Sequence, residues 1–363
     1  MSERMIQQFM EMVQIDSESG NEARFIDYLL GEVKAVGGSA ALDDYGNLIA
    51  TFEAVGCEGA EPILLSCHAD TVKPGVGIEP VIVDGIIRSQ GDTILGADDK
   101  AGIAEAFEAL RVADVRPPIE FAVSRQEEVG LLGVKAMDFE CITARRGFLL
   151  DNDTLETIII GGPTYFAIDV EIAGRSAHAG MEPEKGINAI QAAAKAITAL
   201  QIGRIDEETT ANVGVINGGL IRNGVPDTCT FLAECRSADH DKAVELAKEM
   251  VSKIKDEIEG AGAKVNVVVD EMCRAVEISE DAWPVRISKE ALATVGIQAE
   301  AVFMTGFTDA SIYNNRGIEM AVIGIGAQNE HSTDECIAIE DMEKSVTVLV
   351  EIFRLSAGDS QIA

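Results

Sequence analysis

A chain of 363 residues exceeds one ordinary core, and at roughly 100–200 residues per domain it is expected to form two. Apolar residues at 47% and charged residues at 25% are the composition of a compact globular protein and lie outside the polar range of disordered chains. With 62 acidic against 29 basic residues the formal net charge is -33, which repels phosphate backbones and anionic lipid and excludes nucleic acid and membrane as partners.

The opening MSERMIQQFMEMVQ patterns as an amphipathic helix instead of a basic stretch followed by an apolar core, and no apolar run reaches roughly 18 residues. Neither secretion nor membrane insertion is expected. The seven cysteines, at 57, 67, 141, 229, 235, 273 and 336, form an odd, scattered set without a CxxC pair, which points to a reducing cytoplasm. A second helix follows, with Phe25, Tyr28, Leu29 and Val33 at helical spacing, Ser17, Ser19 and Asn21 as candidate caps, and Gly37-Gly38 as its stop.

From Pro62 the pattern alternates. Short unbroken apolar runs at Pro62–Cys67, Ile119–Val123 and Gly147–Leu150 suit strands buried on both faces, and Asp99–Val112 reads as the helix between the first two. Near Gly162 the style changes to a βαββαβ order: strand Tyr165–Ile172, helix Gly186–Leu200, strands Asn212–Ile216 and Cys229–Arg236, helix Asp239–Glu259 and strand Lys264–Val269. The α/β style then returns with helix Trp283–Val295, strands Ala301–Met304 and Met320–Ile323, and a last helix Ile339–Arg354. The expected fold is α/β: a catalytic domain of residues 1–162 and 275–363 with a mixed, largely parallel sheet and helices on both faces. It is interrupted by an inserted α+β (βαββαβ) domain over residues 163–274.

Five apolar strands run into polar, chemistry-bearing residues. ILLSC leads into His68-Ala69-Asp70, an imidazole that can bind a metal with a carboxylate beside it, although HxD alone is better explained as an ordinary loop. Asp98-Asp99 open a helix, where capping explains them as well as metal does. Glu127-Glu128 follow IEFAV, so that one carboxylate can bind a cation while the other takes a proton from water. Asp151 follows GFLL, and His331 lies in GAQNEHS after AVIGI. Each has a bland explanation, but open α/β sheets place their sites at the carboxyl ends of strands, and five such ends in one chain argue for a shared centre.

In order, LLSCHADTV, ILGADDKAG, QEEVG, LLDND, GRSAHAGMEPEKGINA, GGLIRNGVPD with ECRS, and NEHSTDE resemble the family of di-zinc peptidases and amidases that includes peptidase T, aminoacylase and carboxypeptidase G. The likeness is greatest to peptidase T-like proteins. It implies a small-peptide hydrolase, an aminopeptidase or tripeptidase, acting by attack of a metal-bridging hydroxide. Asp98 would bridge two divalent ions, with His68 and Asp151 completing one shell and Glu128 and His331 the other. Zinc is the implied metal; cobalt or manganese suit the same ligands. Asp70 would orient His68, Glu127 would be the general base, and Asp99 would only cap its helix. The resemblance also implies that the inserted domain over residues 163–274 is a lid and dimerisation domain. His178 matches a lid histidine that in dimeric relatives reaches the neighbouring subunit's site, which implies a homodimer through the lid. Arg236 matches an arginine that holds a substrate carboxylate, and Asn223 a polar group near the substrate.

Two departures bear on specificity. Phe307 stands where relatives usually have a second glycine, and Thr305 where peptidase T has an arginine. The same metal residues also suit an aminoacylase-like or carboxypeptidase-like amidohydrolase, or a metal-binding scaffold without activity; the last is opposed by Glu127, a carboxylate that mere binding does not need.

Overall fold

A computed structural model describes residues 2–359. Its contacts separate two compact units: residues up to Gly161 with Glu277–Met304 and Thr308 onward, and Gly162–Val276 with Thr305–Phe307. The last three residues, left in the first domain by the sequence reading, group with the second.

The first unit is built on a mixed sheet. Its order runs Ser39–Leu42, Leu48–Phe52, Ile119–Ser124, Ile63–His68, Arg146–Asn152, Glu319–Gly324, Thr157–Gly162, with Glu300–Phe303 also pairing on Thr157–Gly162. The four strands Ile119–Ser124, Ile63–His68, Arg146–Asn152 and Glu319–Gly324 are contiguous and mutually parallel. Their carboxyl ends therefore lie along one edge, which gathers four of the five expected strand ends; the fifth, Asp98-Asp99, lies in the first turn of the helix Ala97–Val112 and ends no strand. All residues of Ile63–His68 and Ile119–Ser124 are buried, as their uninterrupted apolar runs require. The helix Ala97–Val112 is buried from Ala97 through Leu110, so its small residues (five alanines and Gly102 in that span) permit contact on every side.

Part of this unit escaped the sequence reading. Ser39–Leu42 and Leu48–Phe52 form an antiparallel edge, and Pro80–Val83, Ile86–Ser89, Cys336–Ala338 and Ala327–Gln328 form a separate four-stranded antiparallel sheet. The expected caps of the second helix, Ala23–Ala35, are also replaced: its N-cap is Glu22, without a capping side chain, while Ser19 is engaged elsewhere.

The second unit is a five-stranded antiparallel sheet in the order Gly203–Arg204, Thr209–Gly218, Thr228–Ser237, Thr164–Ala173, Lys264–Cys273. Alternate residues Phe166, Ile168, Val170 and Ile172 are buried with Phe231, Ala233 and Cys235 against the helices Ala189–Ala199 and His240–Gly260. Period-two strands facing 3.6-period helices make this core. Asn188 and Asp239 cap the two helices by accepting from Gln191 and Lys242 amides, so the first helix starts at Ala189, three residues later than the apolar pattern suggests.

Candidate metal centre and active site

His68 closes its strand almost fully buried, and its Nε2 lies 2.8 Å from Asp98 Oδ1 and 3.7 Å from Asp151 Oδ1. The other oxygen of Asp98 faces a second imidazole: His331 Nε2 is 3.2 Å from Asp98 Oδ2 and 3.0 Å from Glu128 Oε1. One carboxylate thus stands between two histidines, each with a further carboxylate beside it. Ligand atoms of His68, Asp98 and Glu128 fall within 4.8 Å of one another, as do those of His68, Asp99 and Asp151. All five residues expected as ligands are gathered.

The electrostatics follow from crowding. Burial disfavours the Asp98 charge, but the two imidazoles outweigh it and hold the carboxyl below its usual range. Burial likewise opposes the His68 charge, and Asp98, Asp151 and Asp70 overcome it, leaving the ring well above its ordinary pKa. Hydrogen bonds to Asp98 and Glu128 raise His331 to about 11. Burial lifts Asp151 to about 6 and also raises Glu128. Such a cluster of carboxylates and imidazoles, short of positive charge, retains protons that divalent cations would replace. The donor set, mixed nitrogen and oxygen, fits ions such as zinc, cobalt or manganese.

Glu127 is 7% exposed, and its carboxyl accepts no hydrogen bond from the described residues. Burial, then the charge of Asp151, keeps it well above the ordinary carboxylate range. Its loop is held by Asp70, whose Oδ1 accepts the Glu127 amide at 2.8 Å and whose Oδ2 accepts the Glu128 amide at 3.2 Å and the Ser19 hydroxyl at 2.7 Å. Asp70 therefore does more than the sequence suggested. The ring Nδ1 of His68 is 2.9 Å from the Asp70 backbone carbonyl and 3.6 Å from its carboxylate, so the carbonyl is the closer anchor of the ring. Gln126 and His331 adopt φ of +54° and +60°, uncommon for residues with a Cβ, and such outliers cluster at functional sites.

Residues 164–271 match a family model described as the peptidase dimerisation domain. The chain is 37% identical to the uncharacterized protein YqjE of Bacillus subtilis, over 98% of both chains. Crystal structures of aminopeptidase PepT from Bacillus cereus and of a tripeptidase from Staphylococcus aureus superpose with TM-scores of 0.86 and 0.91, at 37% and 33% identity. The superpositions cover 98% and 99% of this chain and 99% of each of theirs. The chain belongs to the M20 peptidase family. Its fold and its catalytic class, a peptidase, are those of this family.

Within the family frame, Asp99 departs from the capping role expected of it. Its Oδ2 accepts the His68 backbone amide at 3.1 Å, and its Oδ1 is buried without a hydrogen-bond partner, while the turn before the helix is made by Gly96 at φ +71°. Residues that sequence reasoning passed over also surround the centre. Asp309 is fully buried, accepts a short hydrogen bond from the Ser124 hydroxyl, and is lifted by burial to about 7. Glu335, quoted within NEHSTDE without a role, accepts four backbone amides. No local pattern announces either, because their partners lie 185 and 237–240 residues away.

In the second unit, Ala177–His178 pairs with Gly224–Val225, and the Ala179 amide donates to the Asn223 carbonyl, so His178 and Asn223 share one exposed ribbon. The Gly180 amide donates to His178 Nδ1 at 3.2 Å, which in the neutral ring leaves the proton on Nε2 as an outward donor. Arg236 is half-buried and held on several sides. Its guanidinium contacts Glu234 at 3.0 Å and the Thr305 carbonyl at 3.3 Å, and it sits 4.5 Å from the Tyr165 ring and 5.6 Å from the Phe307 ring. Tyr165 and Phe307 stack at 5.1 Å, so the Phe307 ring packs against the arginine's aromatic neighbour.

Proposed function

We propose that the protein is a cytoplasmic, homodimeric exopeptidase that binds two divalent ions, zinc by expectation, and removes residues from small peptides. The observation that carries this reading is Asp98 between His68 and His331, with Glu128 and Asp151 beside them and the unpaired carboxyl of Glu127 next to the set. His68 and Asp151 would hold one ion, Glu128 and His331 the other, and Asp98 both. Divalent ions at such a centre lower the pKa of water and polarise a peptide carbonyl.

The chain's own residues supply the remainder. Glu127, whose surroundings favour holding a proton, takes one from the attacking water and returns it to the nitrogen of the leaving amine. Asp70 keeps the base in place through the Glu127 amide. His178, with its proton on Nε2, is the donor for a developing oxyanion, and Arg236 and Asn223 are the polar groups for the substrate's far end. The names of the relatives, aminopeptidase PepT and tripeptidase, favour recognition of a free amino terminus. The match to a dimerisation domain supports the homodimer, and seven free cysteines fit a reducing compartment. Among the described residues no helix is long and apolar enough to cross a membrane.

The test is hydrolysis of a mixed peptide library with added zinc, cobalt or manganese, read by mass spectrometry, with N-blocked counterparts alongside. Cleavage of free but not blocked peptides is expected. Preference for N-acylated substrates would move the assignment to an aminoacylase-like amidohydrolase, and metal binding without any hydrolysis would leave a scaffold.

A further inference from the structure

Glu335 is 2% exposed, yet it has no basic side chain as a hydrogen-bond or salt-bridge partner among the described residues. Its carboxylate instead accepts four consecutive backbone amides: Leu95 at 2.8 Å and Gly96 at 2.7 Å on Oε2, Ala97 at 2.8 Å and Asp98 at 3.0 Å on Oε1. Four successive N–H groups can converge on one anion because Gly96 takes φ +71°, turning the chain into a concave anion nest at the start of the helix. A buried carboxylate is costly unless satisfied in this way, and the amides that satisfy it are those leading to and including Asp98.

Placement gives the contact its meaning. Glu335 lies four residues after His331, in the loop that joins Ala327–Gln328 to Cys336–Ala338. The segment carrying His331 is thus joined to the segment carrying Asp98 twice, by the 3.2 Å approach of the two side chains and by the Glu335 carboxylate on the Asp98 backbone. Side chains at such a centre must be held to within a fraction of an ångström to share ions, and among the described residues the Asp98 carboxylate has no side-chain hydrogen-bond partner but the two histidines.

We infer that Glu335 is a positioning residue that sets the backbone of Asp98 and couples it to the His331 loop, so that the two ion sites form together. This rests on the two-ion reading above, and the experiment separates the two. Metal-free full-length protein and the variants Glu335→Gln, Glu335→Ala and Glu335→Asp are titrated with Zn2+ by calorimetry, and the visible spectra of the Co2+ forms are compared. The wild type should bind two Zn2+; fewer would overturn the two-ion reading itself. Glu335→Gln and Glu335→Ala should lose about 10–100-fold in affinity with an altered Co2+ spectrum, and Glu335→Asp, which keeps the charge, should recover part of it. Two Zn2+ bound by Glu335→Gln with wild-type affinity and spectrum would overturn the inference, as would a change confined to the melting temperature of the metal-free protein. Should the variants not fold, amide exchange in the wild type decides: protection of Leu95–Asp98 in the metal-free protein is expected, and rapid exchange there would refute the clamp.

Discussion

At the scale of single residues, two carboxylates adjacent in sequence have diverged by environment. Glu128 faces His331, whereas the buried carboxyl of Glu127 has no hydrogen-bond partner among the described residues and is raised by burial and by Asp151. Glu127→Gln keeps the shape but cannot accept a proton. It is expected to bind both metals and to lose about 10²–10⁴-fold in kcat, measured on the best peptide from the library; unimpaired turnover would remove Glu127 from the reaction. The imidazoles make a prediction for pH. His331, raised to about 11 by Asp98 and Glu128, and His68, raised well above its ordinary value, hold their protons more tightly than free imidazoles in the absence of metal. A cation must displace those protons, so binding releases protons and the affinity for Mn2+ should rise steadily from pH 6 to pH 8. Titration in buffers of different ionisation heat measures the release, and an affinity independent of pH would contradict it.

Among the elements, the centre depends on how closely the helix Ala97–Val112 approaches the strand Arg146–Asn152. A Cβ on Gly102 would lie 2.3 Å from Asp99 Oδ1 and 2.7 Å from the Leu150 carbonyl, next to Asp151. Alanine gains about 1 kcal/mol in helix propensity, but overpacking of this kind costs about 1–3 kcal/mol and the backbone carbonyl cannot yield. Gly102→Ala should therefore lower the urea midpoint and weaken metal binding. Gly31, in the helix Ala23–Ala35, has nothing within 4 Å of the same position, so Gly31→Ala should raise the midpoint by the propensity term alone. Equal shifts in the two variants would show that the close approach is not felt.

For the whole molecule the question is assembly, since His178 belongs to the second unit and the clustered ligands to the first. A two-fold dimer would let each His178 serve the neighbouring site. Inactive His178→Ala and Glu127→Gln subunits, mixed under conditions that allow exchange, would then form hybrids with one doubly defective and one intact site. Activity should return to up to about half per hybrid dimer by the symmetry of the pairing. No recovery despite demonstrated exchange, or an active monomer, would exclude action across the dimer.

The strands that carry the centre were readable because burial on both faces forces an unbroken apolar run, and although each polar residue at the end of such a run has an ordinary explanation, their recurrence at several ends pointed to one centre. His68, the Glu127-Glu128 pair, Asp151 and His331 stood out in this way, whereas the choice of Asp98 over Asp99 and of Glu128 over Glu127 as ligands came from the family resemblance; the change from buried runs to alternating strands near Gly162 marked the second unit, because a sheet with one covered face must alternate. What the sequence could not decide were contacts whose partners are remote in the chain. Ser19 was read as a cap and instead donates to Asp70, 51 residues on; Asp99 was read as a cap and instead holds the His68 amide. The short strands Pro80–Val83 and Ile86–Ser89 lacked a buried run because much of their surface is exposed, and Glu335 looks like any loop glutamate until the chain brings it to four amides 237–240 residues away. Local periodicity records which face of an element is buried. Only the tertiary structure determines which group satisfies a buried charge, because hydrogen-bond partners are matched in space and leave no spacing in the sequence.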